Sequence, residues 1–464
     1  MTTISPTVEA ATAAATAAAT ATASPQPAAA GPGVASAADA LPWTCPFCSL
    51  LCDGFHLRSV PTLRLVDSDC PRARAGLAAF DPDPSGDQPA AATPMVDGAA
   101  VSLDVALDAA AARLRAARLP LFGGLSTDVD GMRGLYRLAN LGGAIFDHAQ
   151  GDAQMHSLRA LQDRGQIFTT LAEIRNRADL IVCLGTDAVS SYPEFFRRCA
   201  PVEGAAPPRV VFLGAEVPSA PALAAYACES LMPGGDVFDV AAQLAARVAG
   251  RRLAVTASAA AGAADGAQHD LAELAEAMRA ARYCVVVWEP GRLPVHGALV
   301  AEAILRMVTT LNRSTRAGAF TLGGAEGAQT ASAVMTWLSG VPLRSRVGPQ
   351  GLTHDPLRFA TARVLARREV DLMVWVASLL PTLQPPDAGL PRVVLGHPGL
   401  AAVSARPDTV FVPVATPGLN ASGHLFRADS VVALPLDKVR DDGLPTVGEL
   451  ARALAARLAP EGVQ

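Results

Sequence analysis

Three cysteines crowd into TCPFCSLLCDG, where Cys45, Cys48 and Cys52 follow a C-x2-C-x3-C spacing, and Cys70 comes after seventeen further residues. Short spacings let one loop wrap three thiolates round a cubane while a distant fourth closes it, the logic of a [4Fe-4S] site. Tetrahedral zinc tolerates four thiolates equally well, but its cysteines more often arrive as two C-x2-C pairs, which Cys52 and Cys70 do not form. Thiols that bind nothing are the third alternative. The other cysteines, Cys183, Cys199, Cys228 and Cys284, sit in apolar segments and read as small buried hydrophobes of a reducing compartment.

His148 and His156 lie in FDHAQGDAQMHS beside Asp147 and Asp152, a grouping that could bind a metal or exchange protons. Without an H-E-x-x-H or H-x-H pattern it reads instead as polar residues at the surface or an interface, at the mouth of a sheet. His354 with Asp355, and His424 in ASGHLFRAD, have candidate partners but no defined catalytic pattern. Glycines cluster in FGGLSTD, CLGTDA and TLGGAEGAQ, each after an apolar run, where backbone amides could approach a phosphate. None matches G-x-G-x-x-G or a Walker loop, so they read as tight structural turns. No G-x-S-x-G elbow occurs either, and no residue is assigned a catalytic role.

The elements that must position these residues alternate. DVALDAAAARLRAARLP predicts a helix ending near Pro120, followed by a short strand at LFGG, a helix around Met132 to Asn140 and the segment AIFDH. TLAEIRNRA, DLIVCLG and RVVFLGAE repeat the pattern, as do LAELAEAMRAA, YCVVVWE and HGALVAEAILRMVTTLN. Apolar runs without polar alternation suit strands covered on both faces, and the amphipathic helices between them complete βαβ units. The expectation is an α/β body with parallel, Rossmann-like sheets. Its approximate divisions are an Ala/Thr/Pro-rich disordered tail over 1–41, a four-cysteine unit over 42–94, and α/β sub-domains over 95–290 and 291–464 with interleaving allowed.

Composition narrows the partners. The formal charge of −5 supplies no field for a phosphate backbone, so a nucleic-acid partner is not expected. Charged residues are 17% of the chain against a usual figure of about 25%, a sparse surface that favours protein partners, although a bias toward Ala and Gly would give the same number. No run has membrane-spanning character, and residues 1–41 contain no Lys or Arg, so neither a signal nor a transit peptide is read and the expected location is the cytoplasm.

Taken together, CPFCSLLCD, FGGLSTD, IFDHAQGDAQMHSLRALQDRG, EIRNRADLIVCLGTDAVSSYP, EVDLMVWVAS and VFVPVATPGLNASGHLFRAD resemble the B subunit of formylmethanofuran dehydrogenase over almost the whole chain. The resemblance implies a molybdopterin-oxidoreductase-like body, a bis-molybdopterin-guanine-dinucleotide with tungsten or molybdenum, and a [4Fe-4S] cluster near it. Where that family carries a metal-ligating cysteine or selenocysteine, this chain has Ala153, and no cysteine occurs between Cys70 and Cys183. The family's lysine after the last cluster cysteine is also missing, leaving Arg72 or Arg74 to stand in.

The flanks of the cysteines differ too, with Ser49, Gly54 and the longer interval from Cys70 to Gly76. This pattern is similar to the B subunit of the bacterial formyltransferase/hydrolase complex. That likeness implies a non-redox structural subunit in tetrahydromethanopterin-linked oxidation to formate, with molybdopterin and its metal absent. The implied partners are a formyltransferase subunit, an amidohydrolase subunit and a further small subunit, with a methanofuran-like carrier nearby. The four-cysteine site then holds a [4Fe-4S] cluster or is its vacant relic. The rival expectation is an active molybdenum- or tungsten-pterin dehydrogenase in which an oxygen ligand such as Asp152 replaces the thiolate.

Overall fold

The computed structural model describes residues 40–59, 62–80, 93–251 and 261–459. The expected tail lies outside them except for Ala40 and Leu41, as does most of the Pro/Gly/Asp-rich linker before Pro94. No helix among the described residues is long and apolar enough to cross a membrane.

The runs read as doubly covered strands are just that. Leu180–Leu184, Cys284–Trp288, Leu372–Ala377, Arg392–Gly396 and Thr409–Pro413 are buried along their whole length. A five-stranded sheet places Ala227–Leu231, Arg209–Leu213, Leu180–Leu184, Cys284–Trp288 and Ala317–Thr321 side by side, all parallel. In chain order this is 3-2-1-4-5, a doubly wound arrangement whose direction reverses between Leu184 and Trp288.

A nine-stranded sheet contains a second parallel core, Ala144–Phe146, Pro120–Ser126, Leu372–Ala377, Arg392–Gly396 and Thr409–Pro413. Its chain order is 2-1-3-4-5, and antiparallel hairpins extend both flanks. Both sheets draw strands from either side of residue 290. The five-stranded sheet pairs Cys284–Trp288 with Ala317–Thr321 across that position.

Helices begin where the sequence offers caps. Asp128 accepts from Gly131 N at 2.9 Å to start Val129–Gly142, and Thr446 with Glu449 forms a capping box for Val447–Leu458. The predicted helix before Pro120 is Leu103–Ala116, opened by Ser102. The late polar stretch NASGHLFRADSVVALPL carries a hairpin, Gly423–Phe426 with Ala433–Leu436. The four-cysteine unit carries a three-stranded antiparallel sheet, Leu41–Trp43, Phe55–Arg58 and Arg64–Leu65, and the helix Pro71–Ala78.

The FGG glycines lie inside the strand Pro120–Ser126 rather than in a turn after it. The pairing with Leu372–Ala377 slips between Trp375 and Ala377, and Gly124 sits there at φ +73°. A Cβ on Gly124 would stand 2.5 Å from Val376 O, and one on Gly123 would stand 3.0 Å from the Trp375 ring. These glycines admit a bulge and a tryptophan, a packing role. Gly124→Ala is therefore expected to lower unfolding stability by about 2–4 kcal/mol. Gly142→Ala, with open space round its Cβ, should change it by less than about 1 kcal/mol in denaturant titration. Equal midpoints for the two variants would contradict this account of the bulge.

Candidate functional site

The four cysteines are brought into one buried nest. Cys45, Cys48 and Cys52 lie on the loop between Leu41–Trp43 and Phe55–Arg58, closed by Cys45 N donating to Cys52 O at 3.0 Å. Cys70 is the N-cap of Pro71–Ala78. All four pack in one core with Trp43, Phe47 and Leu77. Gly76 is needed there because a Cβ would meet the Phe47 ring at 2.3 Å.

Burial, reinforced by the charges of the neighbouring thiols, raises Cys45 well above an ordinary thiol. Burial holds Cys48 up at about 11 and lifts Cys52 and Cys70 as well. Backbone N–H groups oppose this by donating to the sulfurs, from Phe47 to Cys45, from Leu50 and Leu51 to Cys48, and from Arg72 and Ala73 to Cys70. Amides aimed at sulfur stabilise thiolate, so the donor set suits a thiolate-bound group. Among the described residues no three His, Cys, Asp or Glu side chains are placed to hold a single metal ion.

Beside the nest lies a cavity of about 770 Å³. Its walls come from the carboxyl ends of Cys284–Trp288 and Ala317–Thr321, where Glu289 and Gly323 follow the strands, and from the first turn of the helix Gly151–Arg164. This is the edge where open parallel sheets expose polar groups. Ser49, on the cysteine loop, donates to Gly323 O at 2.6 Å, and Arg72 reaches from the cysteine helix into the cavity wall, donating to Ser191 O at 3.2 Å. Of the two arginines expected to stand in for lysine, Arg72 lines the cavity. Arg74 is exposed and does not line it.

Ala153 lines this cavity. The charged lining residues have partners: Arg72 faces Glu326 at 3.6 Å, Asp152 pairs with Arg344, Asp429 with Arg427 at 2.7 Å, and Glu289 accepts from Thr186 at 3.0 Å, whereas Glu326 Oε2, behind the wall, is buried without a hydrogen bond. Burial pushes Glu326 up to about 7, against the lowering effect of Arg72. A bis-pterin dinucleotide brings two diphosphates and a metal. The described lining residues offer it neither a thiolate at Ala153 nor a guanidinium without a partner. The residues do not fit that group.

The His148 segment differs from expectation. Asp147 and His148 stand at the mouth of the sheet, following the strand Ala144–Phe146, but both are buried rather than on a surface. Gln150 N donates to His148 Nδ1 at 2.9 Å, so Nε2 carries the proton and donates to Glu326 O at 3.0 Å. Burial lowers His148 to about 4, and its ring, neutral with both nitrogens occupied, is a brace. Arg344 explains why Asp147 can turn inward, while Asp152 meets the same guanidinium from the exposed side. It contacts Asp147 at 3.2 Å, Asp152, and Pro356 O at 3.0 Å, and Asp147 also accepts from Thr361 N at 2.7 Å.

His156 packs against Gly297 instead of joining His148. His354 bonds within its hairpin, to Ser345 and Arg344 O, and His424 lies on an exposed strand position. The sequence reading missed Arg344 and Glu326. Glu326 had one local signal, an acid inside a glycine cluster, where it adopts φ +53°. Arg344 had none, because long-range contacts give it its role.

The chain matches no protein-family model. It is 32% identical over 341 residues to the B subunit of the formyltransferase/hydrolase complex Fhc of Methylorubrum extorquens, an alignment spanning 72% of this chain and 87% of that relative. It is 25% identical over 418 residues to the B subunit of the tungsten-containing formylmethanofuran dehydrogenase 2 of Methanocaldococcus jannaschii, spanning 86% and 93% of the two chains. One chain of the crystal structure of the Methylorubrum extorquens complex FhcABCD with methylofuran superposes with a TM-score of 0.68 at 29% identity, over 80% of this chain and 100% of that one. The chain therefore belongs to the B-subunit family of formylmethanofuran dehydrogenase, which includes the B subunit of Fhc.

Proposed function

We propose that this chain is a non-redox structural subunit of a formyltransferase/hydrolase complex, acting in tetrahydromethanopterin-linked oxidation of one-carbon units to formate. The observation that carries the reading is Ala153 on the wall of the retained cavity, where the family's redox members have their metal thiolate. No described cysteine lines that cavity, and its charged side chains are partnered within the protein. Formyl transfer and amide hydrolysis move no electrons, so neither needs the pterin metal. The bond-making groups belong, in this reading, to a formyltransferase subunit and an amidohydrolase subunit, with a further small subunit and a methanofuran-like carrier beside them. Asp152, the candidate oxygen ligand of the rival redox reading, is committed to Arg344.

Cells lacking this subunit are expected to lose the complex, with formyl transfer and hydrolysis falling to background. Asp152→Ala and His148→Ala, measured per assembled complex without any electron acceptor, should change turnover by less than about tenfold, because neither group makes or breaks a bond. A complex that assembles normally yet loses about a hundredfold or more, the size of a direct acid–base contribution, would overturn this.

The nest of Cys45, Cys48, Cys52 and Cys70 has a structural task in the same reading. It clamps the cysteine loop and the helix Pro71–Ala78 to one core. Thiolates round one zinc ion would stand about 3.8 Å apart, given Zn–S bonds of about 2.3 Å. Each thiolate of a cubane binds a different iron, so a wider quartet suits a [4Fe-4S] cluster better than a single ion. Cys70→Ala is expected to lower the melting temperature of the complex by at least about 4 °C, more than an isolated buried cysteine would. Iron and sulfide near four per chain would identify the clamp as a cluster, and four titratable thiols would identify it as a packed relic. A variant with wild-type stability contradicts the clamp in either form.

A further inference from the structure

Three of the four tryptophans, Trp43, Trp288 and Trp375, are buried, whereas Trp337 is 57% exposed. It lies near the end of the helix Ala328–Ser339, which packs beside the helix Val129–Gly142. That second helix presents Arg133, Arg137 and Leu141 to solvent at intervals of four residues, one stripe along its outer face. The Arg133 guanidinium stands 6.0 Å from the Trp337 ring centroid, and Leu141 is 47% exposed.

No ion pair among the described residues accounts for this arrangement. On the same helix Asp130 pairs with Arg452 at 2.8 Å, and on a neighbouring face Arg457 pairs with Asp104 and Asp108. Arg133 and Arg137 have no such ion pair with a carboxylate among the described residues, although acidic residues outnumber basic ones, 43 to 38. An exposed indole stacked on a guanidinium that has no carboxylate partner, with a second arginine one turn along the same helix, is the side-chain chemistry that dominates protein interfaces.

We propose that Trp337, Arg133, Arg137 and Leu141 form the docking site for another subunit of the assembly, one that offers an apolar pocket for the indole within a carboxylate rim. The inference rests on the reading of this chain as a subunit. A second copy of the chain would bring a patch of the same positive charge with no carboxylate among Trp337, Arg133, Arg137 and Leu141, so a partner of opposite charge is the complementary occupant. An acidic partner supplies the missing carboxylates and desolvates the Arg133–Trp337 stack, which strengthens it.

The test uses the full complex, produced by co-expressing this chain with the other subunits and weighed by native mass spectrometry and size-exclusion chromatography. Trp337→Ala, and separately Arg133→Glu with Arg137→Glu, should each release one particular subunit with at least tenfold weaker association. Trp337→Phe should restore most of it, and Arg175→Glu, an exposed arginine elsewhere, should have no effect. The released chains should melt within about 2 °C of wild type, which separates lost docking from lost folding. Wild-type subunit composition and affinity in both variants would overturn the proposal, as would loss of a homodimer in place of a different subunit. A wild-type chain that purifies with no other subunit would overturn both this inference and the function it rests on. A wild-type complex indifferent to these substitutions would overturn the inference alone.

Discussion

Strands buried on both faces can present polar chemistry only where they end, and this constraint organises the whole molecule. The backbone groups of Leu180–Leu184, Cys284–Trp288 and Leu372–Ala377 are consumed by parallel neighbours, and their side chains by helices above and below. Polar and charged residues therefore gather just beyond the carboxyl ends: Thr186 with Glu289, Ser126 with Ser378, Asp147 with Arg344. The cavity described above lies at that edge, beyond the carboxyl ends of Cys284–Trp288 and Ala317–Thr321. The cysteine unit is tied to the same edge by Ser49 and Arg72.

In the proposed reading the family's redox apparatus is lost while its enclosure stands. A single change of residue type at Ala153 removes the thiolate, while Arg344 still fixes the start of the helix that carries it. Arg72 is held by Glu326 and Ser191 O, so its charge is spent on the wall of the cavity. A half-buried pair of this kind at 3.6 Å contributes less to stability than to fixing one arrangement, since desolvation offsets much of the attraction. Keeping the walls in register preserves the body on which partner subunits dock.

Much of this is legible in the sequence where local physics decides. The apolar runs announce buried strands, and the amphipathic runs between them announce helices. Ala153 is legible as a missing ligand through family resemblance alone. What cannot be read depends on distant pairing. FGG reads as a turn because glycine is equally at home in a bulge, and only the Trp375 ring across the pairing decides between them. The helix Gly151–Arg164 is obscured by its polar first turn. His148 reads as exposed because nothing nearby in sequence reveals that Arg344, almost two hundred residues away, neutralises its acidic neighbour. Ser49 reads as drift from the family pattern, yet its hydroxyl ties the cysteine loop to Gly323.

The central claim is that the retained enclosure performs no electron transfer. Its most direct measurement is the molybdenum and tungsten content of the native complex, read together with dye-linked oxidation of formate or of the formyl carrier. The account predicts far less than one such metal per copy of this chain and no dye reduction above background, in a preparation fully active for formyl transfer and hydrolysis. One molybdenum or tungsten per chain with dye-linked turnover would contradict it.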